Sequence, residues 1–141
     1  MLASMRVTMM LADHAVVAEG TERLTKYTGS IGLAIWQLDR FVSADAGSDG
    51  GVLTTVPLTF TGKRLELNVR NAPTGDTGVA LLDASGHPIA GFEESDPVTG
   101  DNLRATVTWK GNGDVSALAG KPVSLRFTMK QAELFSFAFR K

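Results

Sequence analysis

The chain has 141 residues, 43% hydrophobic and 21% charged, a length suited to one domain and a composition too apolar for a disordered segment. Fourteen basic residues against fifteen acidic ones give a formal charge of −1, so there is no broad positive field to attract a nucleic-acid backbone. The absence of cysteine excludes disulfides, thiolate metal sites and cysteine nucleophiles.

Taken in chain order, the apolar pattern repeats every second residue, which is the signature of half-buried strands. At the start, Met5, Val7, Met9 and Leu11 alternate with Ser4, Arg6 and Thr8. This reads as a strand rather than as the unbroken apolar block of a signal peptide. No run approaches the roughly 20 apolar residues that span a bilayer, so neither an export signal nor a membrane segment is expected, and the compartment stays open. Residues 13–25 are expected to hold a short helix or a long loop. Residues 33–42 follow as a strand, with Ala34, Trp36, Leu38 and Val42 sharing a face.

The glycine-rich stretch 45–51 is a candidate hinge in what otherwise reads as a single domain, 1–141. Beyond it, Val52, Thr54, Val56, Leu58 and Phe60 share one face of an expected strand. Residues 64–70 alternate cleanly, with Leu65, Leu67 and Val69 opposite Arg64, Glu66, Asn68 and Arg70. Strands are also expected over 78–83, over 103–109, over 123–129 with Val123, Leu125, Phe127 and Met129 inward, and over 134–140 with Phe135, Phe137 and Phe139 on one face. Asp114 is a plausible N-cap for a single helical turn stopped by Gly120. Turn chemistry separates these segments at Thr61-Gly62-Lys63, Pro73-Thr74-Gly75-Asp76, Ala84-Ser85-Gly86, Gly111-Asn112-Gly113 and Ala119-Gly120-Lys121-Pro122. Short strands, frequent turns and one solvated face per strand predict an all-β protein, an antiparallel β-sandwich of two packed sheets in the manner of a jelly roll.

Residue types that carry chemistry are sparse. His14 is expected in a polar loop and His87 in the turn Ser85-Gly86-His87-Pro88, both as solvated side chains. Glu93, Glu94, Asp96 and Asp101 form the densest group of carboxylates, flanked by Phe92. Such a group suits a solvated loop, a calcium or polar-ligand site, or two carboxylates set across a glycosidic bond; the spacing is not that of an EF-hand. Trp36 and Trp109 fall on apolar strand faces and are expected in the core. Tyr27 and Phe92, in loop-like surroundings, are the candidates for an exposed platform on which a sugar ring stacks. A Gly-x-Ser-x-Gly elbow, a phosphate-binding loop, a dinucleotide fingerprint and zinc-ligand spacings are all absent from the sequence.

From Trp36 onward the sequence resembles the C-terminal β-sandwich of glycoside hydrolase family 32-like proteins, which cleave sucrose and fructans. The likeness is carried by Leu38-Asp39-Arg40-Phe41-Val42-Ser43, by residues 53–60, by residues 83–92, by Val107-Thr108-Trp109-Lys110-Gly111, by residues 114–123 and by the stretch from Leu125 to Phe137. Arg40 stands where such sequences often have glycine. These blocks are core and turn residues, so the resemblance implies a fold far more than an activity. In that family the catalytic carboxylates belong to a separate N-terminal propeller, to which nothing here corresponds.

The reading that follows is a non-catalytic accessory module that binds carbohydrate or a partner protein, with Tyr27, Phe92, Glu93, Glu94, Asp96 and Asp101 as the candidate ligand contacts, no required cofactor, and calcium as the one metal to test. A structural or oligomerisation domain without a small ligand is the first alternative, and a small stand-alone glycosidase the second. A surface that would otherwise cover a propeller also predicts self-association, with Met5, Met9 and Met10 as one contact.

Overall fold

A computed structural model describes the backbone of residues 4–19 and 22–141 and the side chains of residues 33–141. The described chain is mostly β-strand and its pairings are antiparallel. Two compact units divide it, Met1–Asp39 and Arg40–Lys141.

The first unit is a hairpin of β1 (Ser4–Glu19) and β2 (Glu22–Gln37), paired in register from Ser4 opposite Gln37 to Glu19 opposite Glu22. Residues 13–25, expected as a helix or loop, instead lie in these strands on either side of positions 20 and 21. Ala15 to Ala18 include two adjacent valines, and a ladder of cross-strand partners favours such β-branched residues extended. Tyr27 and His14, both expected in loops, therefore face each other across the ladder as a register pair. β2 stops at Gln37, so Val42 is not on its face. At its end Leu33 and Ile35 are exposed while Ala34 and Trp36 are half-buried, an alternation that leaves Trp36 less covered than its pattern suggested.

The second unit is one curled sheet built on two long strands, β5 (Arg64–Leu82) and β7 (Ser124–Arg140). β6 (Asp101–Thr106) pairs with the outer side of β5, and β3 (Ala44–Ala46) and β4 (Gly51–Thr54) pair with the outer side of β7. The register shows that β3 and β4 lie end to end along β7, Ala46 opposite Ala132 and Gly51 opposite Met129. The candidate hinge at 45–51 is thus an interruption in one edge strand. Gly50 donates to Gly47 O at 3.1 Å to close it.

Both neighbours of β7 are interrupted at the same height. Residues 47–50 on one side and 72–75 on the other have only Lys130 and Gln131 or Gln131 alone opposite them. Gln131 takes a positive φ of 45° there, and its amide donates to Gly47 O at 3.0 Å. Extra residues in a ladder bend the strand and increase its twist. The turn expected at Pro73-Thr74-Gly75-Asp76 is this bulge, inside β5 rather than between strands. Gly75 is obligatory at it: a Cβ would lie 2.6 Å from Lys130 O and closer still to Gln131 O.

A second bulge lies at Phe135, since Asn68 faces Ser136 while Val69 faces Leu134. One extra residue inverts the alternation. Leu134 is consequently buried on one side of the bulge and Phe137 and Phe139 pack inward on the other, leaving Phe135 off their face, contrary to the expected row of three phenylalanines.

Curling brings both halves of β5 onto one core. Leu65, Leu67 and Val69 from its first half join Val79 and Leu81 from its second, with Val107, Val115, Val123, Leu125 and Phe127 completing the cluster. Full burial of such a side chain contributes about 1.5–3 kcal/mol, so this alternation is the main source of stability. Trp109 closes one end as expected, 4% exposed, with its indole Nε1 donating to Val79 O at 3.2 Å. The strand expected over 52–60 is shorter than its pattern: β4 ends at Thr54, Pro57 cannot donate to a ladder, and Val52 and Val56 face solvent while Phe60 is buried and stacks on Phe139 at 3.7 Å. The predicted helical turn near Asp114 is a single 3-10 turn, Ser116–Leu118, whose first amide donates to Asp114 Oδ1 at 2.8 Å.

Candidate functional site: a groove on the outer sheet face

Because Leu125, Phe127 and Met129 point into the core, the intervening Arg126, Thr128 and Lys130 point outward from β7. Their partners on β5 are Ala80, Gly78 and Asp76, and on β4 Thr54 and Val52 face Arg126 and Thr128. Side chains directly opposite in an antiparallel ladder share a face, so these residues make a continuous floor. The connection 47–50 rises beside it with Asp49, and the segment 93–97 rises on the far side. The segment is anchored edge-on to β5 by Ser95 N to Val79 O and Val98 N to Thr77 O, both 2.9 Å, and by Val79 N to Ser95 Oγ at 2.9 Å.

The result is a groove of about 740 Å³ lined by Asp49, Val52, Asp76, Gly78, Glu94, Thr128 and Lys130 among others. It continues into a second depression of about 350 Å³ bordered by Glu93, Glu94, Ala80 and Arg126. The two share Val52, Gly78, Glu94 and Thr128. Among the described residues, no aromatic side chain lines either.

The acidic residues singled out by their density have separate environments. Glu93 and Glu94 border the groove. Glu93 Oε2 accepts from Gly91 N at 2.9 Å, and its own amide, then that of Gly91, then the charge of Lys110 hold its pKa below the ordinary glutamate value. Asp96 is turned away: Oδ2 accepts from Thr108 Oγ1 at 2.5 Å and from Gly111 N at 2.8 Å, and these hydrogen bonds, that of Thr108 first, lower its pKa. It holds the 96–111 connection together. Asp101 pairs with Arg40, Oδ1 to Nη2 at 2.6 Å. Among the described residues no group of three or more metal-ligating side chains is arranged to hold an ion.

Phe92, expected as an exposed platform, is half-buried and meets Trp109 edge-on with ring centroids 5.2 Å apart. Its backbone carbonyl accepts from Leu81 N at 2.9 Å, and this pairing turns the ring inward. The side chains of Tyr27, Met5, Met9 and Met10 lie outside the described residues. His87 is exposed in the turn that Asp83 organises by accepting from the Ser85 and His87 amides at 2.8 and 3.0 Å.

Sequence reasoning missed Asp49, Asp76, Gly78, Arg126, Thr128 and Lys130. They come from three separated segments, and only the ladder register joins them. One signal was present, an isolated glycine at 78 inside a strand pattern, which marks a bulge or a place where something approaches closely.

A different surface lies along the outer edge of β3 and β4. Phe41, Val42 and Val56 are 64, 65 and 79% exposed. Val42 and Leu53 also line a shallow depression of about 370 Å³ with Phe135 and Phe137. Comparison with family models, with curated proteins and with solved structures finds no match to this chain.

Proposed function

We propose that this protein is a non-catalytic binding module, a jelly-roll-like sandwich akin to the accessory domain of family 32-like glycoside hydrolases, and that its ligand is carbohydrate held in the groove over β4, β7 and β5. The observation that carries the reading is the groove itself. A hydrogen-bonding floor with donors at Arg126, Thr128 and Lys130 and acceptors at Asp76 and Glu94 suits a ligand made of hydroxyl groups, which can both donate and accept. Of the carboxylates in the 93–101 segment, Glu93 and Glu94 border the groove, while Asp96 is engaged by Thr108 and Asp101 by Arg40.

Screening the purified chain on a glycan array, with calcium and with a chelator, tests the reading. Retention of saccharides that survives chelation, with no reducing sugar released, is the expected result. An empty array or sustained hydrolysis would replace it.

A second reading, an oligomerisation domain, is favoured by the exposed Phe41, Val42 and Val56 beside an edge whose outer backbone groups have no strand partner among the described residues. It predicts a solution mass above that of one chain, returned to monomer by Val56→Lys. A mass of one chain at every concentration would remove it.

A further inference from the structure

Gly78 occupies the interior of β5, where glycine costs about 0.5–1 kcal/mol relative to alanine because it loses the most conformational freedom on folding. At Gly75 the close approach of two carbonyls explains that cost. At Gly78 nothing of the kind does. Its φ lies outside the left-handed region, and an added Cβ would meet only Thr128 O at 3.9 Å, an ordinary contact. Neither the backbone nor the packing asks for glycine. What a side chain here would do is fill the groove, because position 78 lies where its two depressions join.

We infer that Gly78 is kept bare to seat a ligand, and that this ligand is the interior of an extended, uncharged saccharide chain; the inference rests on the carbohydrate reading above. Three observations set the class. The floor runs along β7 from Arg126 to Lys130, four residues or about 13 Å at strand rise, which is longer than a single sugar ring. Asp49, Asp76, Glu93 and Glu94 outnumber Arg126 and Lys130, so the local field disfavours anionic chains such as uronates or phosphorylated sugars. The missing side chain at the junction lets a ligand lie close to the β5 backbone midway along its length, which a binder of chain ends does not need.

The test uses the full chain and two variants, Gly78→Ala and Gly78→Val, with neutral gluco-, xylo-, manno- and fructo-hexasaccharides, their monosaccharides, and a neutral octapeptide as probes for calorimetry. Valine is a good strand former and position 78, half-buried, has room for a side chain, so both variants are expected to melt at or above the parent temperature. At least one hexasaccharide should bind the parent tenfold or more tightly than its monosaccharide. That affinity should fall with alanine and fall tenfold or more with valine. Parent-like binding by Gly78→Val overturns the inference and leaves the carbohydrate reading standing. A lowered melting temperature in both variants overturns it too, because the glycine is then structural. Equal affinity for a monosaccharide removes the extended chain, and glycine-dependent binding of the peptide alone removes the saccharide. No binding of any saccharide by the parent defeats both the inference and the reading beneath it.

Discussion

The guanidinium of Arg40 lies 4.8 Å from the ring centroid of Phe135, the residue that β7 inserts at its second bulge. The same side chain, only 6% exposed, donates from Nε to Asn68 Oδ1 at 2.8 Å and pairs with Asp101 at 2.6 Å. Arg70, itself bonded to Glu133, stands 5.7 Å from the same ring. Arg40 thus joins three segments at the point where the alternation of β7 inverts. Arg40→Ala removes the bond to Asn68 Oδ1 and the pairing with Asp101 and uncovers the bulge, and it should cost about 2–3 kcal/mol in urea unfolding. Arg40→Lys should not restore it, because an ammonium lacks the planar fork that reaches Asn68 and Asp101 together. Recovery by lysine would show that charge alone matters here.

Gly75 and Gly78 are three residues apart in β5 and should respond oppositely to alanine. Gly75→Ala forces a Cβ against the carbonyls of Lys130 and Gln131, and a loss greater than about 1 kcal/mol is expected in chemical denaturation. Gly78→Ala should show none. The pair separates a glycine required by the backbone from one that is not.

Acid should loosen the 96–111 connection. Thr108 and the Gly111 amide stabilise ionised Asp96 and lower its pKa below the ordinary 3.8. A depressed carboxylate contributes stability that is fully present above the unfolded value and is lost as pH falls through the folded one. The melting temperature should therefore decline from about pH 4 downward, and Asp96→Asn, less stable at neutral pH, should decline less over that window. Parallel curves for the two proteins would remove Asp96 from the account. Asp83, Asp114 and Glu93, lowered in the same direction chiefly by backbone amides for Asp83 and Glu93 and by Ser116 for Asp114, supply the remaining slope.

Trp109→Phe keeps the ring against Phe92 but removes the indole donor from Val79 O. Val79 O keeps the Ser95 amide, so the loss of this one buried hydrogen bond should cost about 0.5–1.5 kcal/mol by urea titration. Phe92→Ala should likewise lower stability while leaving saccharide retention unchanged, since its ring faces Trp109 and not the groove. Loss of retention at unchanged stability would return Phe92 to the role of a platform.

How much was legible differs between fold and site. The strands at 64–70 and 123–129 were plain because each buries one face, and burial enforces a two-residue period. The bulges were hidden: 73–76 read as a turn because proline and glycine mark a turn and a bulge alike, and Phe135 looked inward because periodicity cannot register a single inserted residue. The hairpin over 13–25 was missed because its extended form depends on partners across the ladder. At the site, Glu93 and Glu94 were found by density alone, which also selected Asp96 and Asp101, two residues the fold employs elsewhere.

By itself the sequence determined that the chain is mostly antiparallel strand, that Leu65, Leu67, Val69, Leu125 and Phe127 form its interior, and that Trp109 belongs with them. Local alternation carries that information, since each residue's face follows from its neighbours. Only the tertiary structure decided that Asp76, Gly78, Thr128 and Lys130 share one outer surface with Glu94 at its border, because cross-strand register is a property of two distant segments meeting, and two bulges shift it by amounts no single segment records.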